Sequence, residues 1–138
     1  THYCLEMMDE FTIDCLEYTL KLAISRYSNY LNEVDFIDIK NRISMLIKNN
    51  DFISIINDSE FITEQSLIYK EEIKIIDLLL FKNDTYYIID YKTTKDRLPE
   101  HIAQVSFYKK AIKDIFSTNE VKAYLVYLHS NESFIQEI

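Results

Sequence analysis

Two aspartates and a lysine set into apolar runs are the residues of this chain best placed to do chemistry. Residues 75–95 read IIDLLLFKNDTYYIIDYKTTK, with Asp77 inside the first run and Asp90-Tyr91-Lys92 closing the second. Charged groups at the core end of paired strands are costly to bury unless something neutralises them. Alternation along a strand points Asp90 and Lys92 the same way, with Tyr91 opposite and its backbone carbonyl near the Asp90 carboxylate. By the same rule Asp77 shares a face with Ile75 and Leu79. A hairpin turning between Asn83 and Asp84 sets position 77 near 90, so the two carboxylates meet and repel unless a cation neutralises them. Carboxylate and carbonyl oxygens suit Mg²⁺ or Mn²⁺. Lys92 would then orient or deprotonate a water for phosphodiester cleavage. The plain alternative is a solvated hairpin end in which Asp90 and Lys92 form an ordinary surface pair, and a D-x-K after a strand, taken alone, favours that alternative.

The elements that must position these residues follow from the periodicity. Residues 2–31 read as one long helix, with Leu5, Met8, Leu16, Leu20 and Ile24 in its apolar stripe. A second helix is expected over 36–48, and a short third one, capped by Asn49-Asn50-Asp51, through Ile56. From Phe61 the period changes to that of strands: 61–69 and 72–81 as a hairpin turning near Lys70-Glu71, then 86–91 after a turn at 82–84. Pro99 opens a helix to about Phe116. Residues 121–128 form a final strand, apolar enough for burial on both faces. A return through that helix makes the last strand parallel to its neighbour. The expected fold is α/β: a mixed central sheet flanked by helices, with an N-terminal helical segment over 1–57 and a catalytic core over 61–128, in one domain.

Composition narrows the function classes. The chain has 138 residues, 48% hydrophobic and 28% charged, as in ordinary soluble domains. No apolar run approaches the length of a membrane helix, and no signal peptide is visible, so no membrane partner is expected. There is no glycine and one proline, which excludes glycine-rich phosphate loops and dinucleotide fingerprints. The net charge of −8 argues against tight DNA binding by this domain alone. Cys4 and Cys15, placed on one long helix, lie too far apart for a disulfide and lack the spacing of a zinc or iron–sulfur site. A reducing, cytoplasmic setting is expected. The opening residues, helical and acidic, read as a cut inside a longer protein.

Asp77, the D-Y-K-T at 90–93, and Gln104-Val105-Ser106-Phe107-Tyr108 together resemble the PD-(D/E)xK nuclease superfamily. The Q-x-x-x-Y element resembles its RecB-family branch, and His2-Tyr3-Cys4-Leu5-Glu6 is similar to the H-x-x-L-E element of that branch. The resemblance runs from His2 to Leu128 and is nearest to the C-terminal nuclease domain of AddA-type helicase–nucleases. It implies a restriction-endonuclease-like fold and a Mg²⁺- or Mn²⁺-dependent deoxyribonuclease, an exonuclease processing double-strand-break ends for recombinational repair. Asp77, Asp90 and Lys92 would be catalytic; His2, Asp77, Asp90 and the Tyr91 carbonyl would hold the metal. Gln104 and Tyr108, one helical turn apart, would shape the site or contact DNA. Glu64 resembles the first-strand glutamate of the family, either beside the site or merely pairing with a lysine or capping a turn. Thr93, Thr94 and Lys95 either contact phosphate or form the exit turn. The partners implied are DNA, a helicase motor in the same full-length chain and an AddB-like subunit. Cys4 and Cys15 do not fit the four-cysteine cluster of Cas4-like and AddB-like relatives, so no iron–sulfur cluster is expected. Lys74 stands where the family often has glycine. Two other readings remain open: another PD-(D/E)xK endonuclease, or an inactive nuclease-like module that guides DNA.

Overall fold

The change of period near residue 60 divides the chain into a helical part and a sheet-forming part. The computed structural model describes residues 1–138 and is α/β. Four helices come first: α1 (His2–Glu6), α2 (Ile13–Tyr27), α3 (Glu33–Ile47) and α4 (Asn50–Ile56). Then follow β1 (Glu60–Tyr69), β2 (Glu72–Lys82), β3 (Thr85–Lys92), α5 (Pro99–Ile115), β4 (Val121–Leu128) and β5 (Ser133–Glu137). The five-stranded sheet has the order β1-β2-β3-β4-β5. It is mixed, because α5 returns the chain to make β4 parallel to β3 while the other pairs are antiparallel.

Local chemistry sets the ends of the helices. The Thr12 hydroxyl accepts from the Cys15 amide and starts α2. Asn32 and Asp35 form a reciprocal capping box at α3. Asn49 accepts from the amides of Asp51 and Phe52 at α4. Pro99 occupies the first turn of α5, where no amide hydrogen is needed. At the other end of α4, the Lys82 ammonium donates to the carbonyls of Ser54, Ile55 and Asn57. It satisfies acceptors that a helix end leaves over.

The single helix expected over 2–31 is two helices. Met8 and Phe11 turn inward between them and are buried, and Thr12 nucleates a fresh start. The Cys4 thiol then meets the Thr19 carbonyl, 3.9 Å away, so α1 folds back on α2. The disulfide argument that placed both cysteines on one helix loses its premise, although both thiols are free. The final strand expected at 121–128 is followed by β5, an additional edge strand.

The sheet separates two cores. On one side Leu5, Met8, Leu16, Ile43, Leu46 and Phe52 pack on Leu78, Leu80, Ile89, Tyr91, Val126 and Leu128. On the other, Val105, Tyr108, Ala111 and Ile112 of α5 pack on Ile76, Ile88, Ala123, Leu125 and Tyr127. β3 and β4 are buried on both faces, as their apolar runs require.

One departure from a regular pleat shapes everything near the acids. Ile76 belongs to the α5-side core, yet Leu78 and Leu80, of the same parity, belong to the helical-side core. Phe61 and Leu67 of β1 divide in the same manner. Both strands therefore exchange faces, although the register stays continuous from Thr63↔Leu78 to Gln65↔Ile76. Between these pairs stand Glu64, with φ 51°, and Asp77. The expectation that Asp77 shares a regular face with Ile75 and Leu79 fails here, because alternation is interrupted at Asp77 itself. Beyond the kink the hairpin leans onto α5: the Tyr69 ring meets Phe107 at 5.5 Å, and its hydroxyl bonds Asp114.

Candidate functional site

The β2–β3 ladder ends at Leu78↔Ile89, one pair short of where Asp77 would face Asp90. The strands part at that point. The Tyr91 amide, which would otherwise lie unpaired along the opening, donates to Asp77 Oδ2 at 2.8 Å. The kink in β2 thus aims Asp77 at the end of β3 and fixes its carboxylate on the backbone of the D-Y-K segment.

His2, from the first turn of α1, reaches the same place. Its Nε2 lies 3.0 Å from the Tyr91 carbonyl and 3.7 Å from Asp77 Oδ2. Asp90 is 3% exposed at the end of β3. Its Oδ2 lies 2.8 Å from Lys92 Nζ, an ion pair without hydrogen-bond alignment, and has no hydrogen-bond partner. Lys92 donates to Gln104 Oε1 at 2.8 Å, and Gln104 Nε2 donates to the Tyr108 hydroxyl at 2.9 Å. The solvated-surface-pair alternative for Asp90 and Lys92 does not hold: the Asp90 side chain is 4% exposed and that of Lys92 18%. The i,i+4 spacing puts Gln104 and Tyr108 on one face of α5, the face from which Gln104 meets Lys92 at the end of β3.

The electrostatics are those of a crowded acidic pocket. Burial pushes the Asp77 pKa up to about 6. The Tyr91 amide and His2 oppose that shift, while Asp90 and Glu64 add to it. Burial also raises Glu64, with Glu6 adding to the shift and His2 opposing it. In the β1–β2 register Glu64 lies across from Asp77, in the left-handed region at the kink. Thr93 follows directly on the D-Y-K segment at the end of β3. Its carbonyl accepts from Arg42 Nη1 at 3.1 Å.

Arg42 is the participant that the sequence did not signal. From α3 it donates to Asp38 at 2.7 Å and to the carbonyls of Thr93 and Leu128, tying together the ends of β3 and β4. Its sole local mark is the i,i+4 pairing with Asp38, common on solvated helices; the contacts that matter span 51 and 86 residues.

The donor types gathered here, carboxylate and carbonyl oxygens with one imidazole, are types that a hard divalent cation takes. The His2 imidazole, the Asp77 carboxylate and the Tyr91 carbonyl meet, the buried Asp90 carboxylate lies close enough to raise the Asp77 pKa and is met by the Lys92 ammonium, and burial makes Asp77 reluctant to ionise. No three His, Cys, Asp and Glu side chains are drawn together tightly enough to form a ready-made cage. The Tyr91 carbonyl is the element that joins His2 and Asp77.

No family model matches the chain, and no curated protein matches it. Among solved structures, a crystal structure of SSO0001 aligns with 99% of this chain at 17% identity and a TM-score of 0.44. The chain spans 65% of the length of that structure. No helix is long and apolar enough to cross a membrane.

Proposed function

We propose that this chain is a Mg²⁺- or Mn²⁺-dependent deoxyribonuclease domain of the RecB type, working within a larger helicase–nuclease that trims double-strand-break ends. The observation that carries the reading is the convergence of His2, Asp77, Asp90, Lys92 and the Tyr91 carbonyl where β2 parts from β3. His2, Asp77, Asp90 and the carbonyl would hold the cation. When bound, it supplies positive charge against the negative charge that builds on the cleaved phosphodiester.

The chain's own groups do the rest. Lys92 is held between Asp90 and Gln104, so its ammonium is fixed in direction and orients the attacking water. Gln104 is itself steadied by Tyr108, so the helix that covers the site also aims the lysine. Cleavage in line leaves a 5′-phosphate and a 3′-hydroxyl. The motor of the same full-length chain and an AddB-like subunit supply the basic DNA path that a domain of charge −8 lacks.

Calorimetric titration with Mn²⁺, paired with a cleavage assay on linear DNA, tests the proposal. Asp90→Ala should lose cation binding and cleavage together, while Lys92→Ala should lose cleavage and keep cation binding. Wild-type cleavage rates in either purified variant would sink it. Cation binding that ignores both Asp77 and Asp90 would return the chain to an inactive DNA-guiding module.

A further inference from the structure

Lys92 lies directly beside Tyr127 in the parallel β3–β4 register, and Tyr127 pairs with Phe134 across the antiparallel β4–β5 ladder. Directly paired residues share a face of the sheet. An ammonium, a phenol and a phenyl ring therefore form one row, leading from the candidate site out to the edge strand. The loop between β3 and α5 lays Arg97 over this row, its guanidinium carbon 5.5 Å from the Tyr127 ring centre and 5.1 Å from that of Phe134. His101, in the first turn of α5, holds the Tyr127 hydroxyl at 3.2 Å, and His129 packs edge-on against Phe134 at 5.7 Å.

The tyrosine is buried beneath this cover, while Arg97 and Phe134 are exposed. Arg97 has no carboxylate within 4 Å, nor has Lys95 in the same loop, although acidic residues outnumber basic ones 23 to 15. A planar cation that lies over rings and is exposed to solvent can stack on a base and donate to a phosphate. Exposed aromatic and arginine surfaces beside unpaired positive charge are how proteins hold single-stranded nucleic acid without reading sequence.

We propose that Arg97 and Phe134, backed by Tyr127 and His101, form a stacking platform. It receives the single strand next to the scissile phosphate, with Lys95 facing its backbone. This deepens the nuclease reading and rests on it for the identity of the ligand: a DNA end unpaired over the site, with duplex left behind.

Fluorescence anisotropy of a short labelled oligothymidylate, in EDTA at low salt, tests the platform. Arg97→Ala should weaken binding roughly tenfold, and Phe134→Leu, which keeps apolar volume but loses the ring, should weaken it by a similar factor. Arg97→Lys should remain weak, because it restores charge without the plane. Mn²⁺ binding by calorimetry should be unchanged in all three variants. Wild-type affinity in Arg97→Ala, full recovery in Arg97→Lys, or equally tight binding of blunt duplex would each overturn the platform. If the wild type neither binds Mn²⁺ nor cleaves, yet holds the strand through Arg97, the nuclease reading fails and the platform stands.

Discussion

Asp77→Asn should make the protein more stable in the absence of cation while destroying its ability to bind one. Asp77 is 17% exposed at its side chain, and burial carries its pKa from 3.8 to about 6. The groups facing it are His2 from α1, Glu64 from β1, and Asp90 with the Tyr91 amide from β3. A carboxylate whose folded pKa lies above its unfolded value binds its proton more tightly when folded. Its favourable contribution is thus fully present below about pH 3.8 and is lost as pH rises through about 6. A shift of about two units corresponds to about 3 kcal/mol at neutral pH. Asparagine carries no charge to desolvate and retains an oxygen for the Tyr91 amide. Urea unfolding in EDTA across pH 4 to 8 should show the variant gaining on wild type up to about pH 7 and level thereafter, by roughly 2–3 kcal/mol. Excess Mn²⁺ should then stabilise wild type by mass action and leave Asp77→Asn unmoved. A variant no more stable than wild type at pH 7.5, or a gap that does not change with pH, would refute the argument that Asp77 is held at a cost.

Two further outcomes concern the scaffold. Arg42→Met should lower stability by about 2–4 kcal/mol, since it leaves two strand-end carbonyls without their charged donor, and hydrogen exchange should show faster opening around Thr93. Thr12→Ala should cost about 1 kcal/mol in thermal unfolding, because it removes the cap that restarts the helix after Phe11.

Much of the sheet was legible because its strands obey a period of two, and the turns at 70–71 and 83–84 are marked by polar residues between apolar runs. The α1–α2 break was not legible: Met8 and Phe11 fit a helical stripe as well as they fit an inward-turned loop, and only tertiary packing decides between them. β5 escaped because five residues on a half-exposed edge carry little pattern. The shared side of Asp90 and Lys92 and the shared helix face of Gln104 and Tyr108 were legible, since spacing fixes direction on regular elements. The kink at Asp77 was not, because the alternation rule presumes the regularity that the kink breaks. The contacts of Arg42 span most of the chain and leave no local trace, whereas His2, whose partner lies 89 residues away, was marked only by the likeness of residues 2–6 to a known element.

The absence of glycine has a consequence for how this domain can change. Seven residues hold positive φ without the residue that does so freely: Asp58, Glu64, Lys70, Glu71, Asn83, Asp84 and Ser117. At six of them, in turns and helix ends, a glycine would relieve strain at little chemical loss. Glu64 differs, because the same replacement would relax the kink and delete a carboxylate beside Asp77. Selection for robustness can therefore edit the turns one at a time, but at position 64 it cannot separate ease of folding from the charge that the pocket carries.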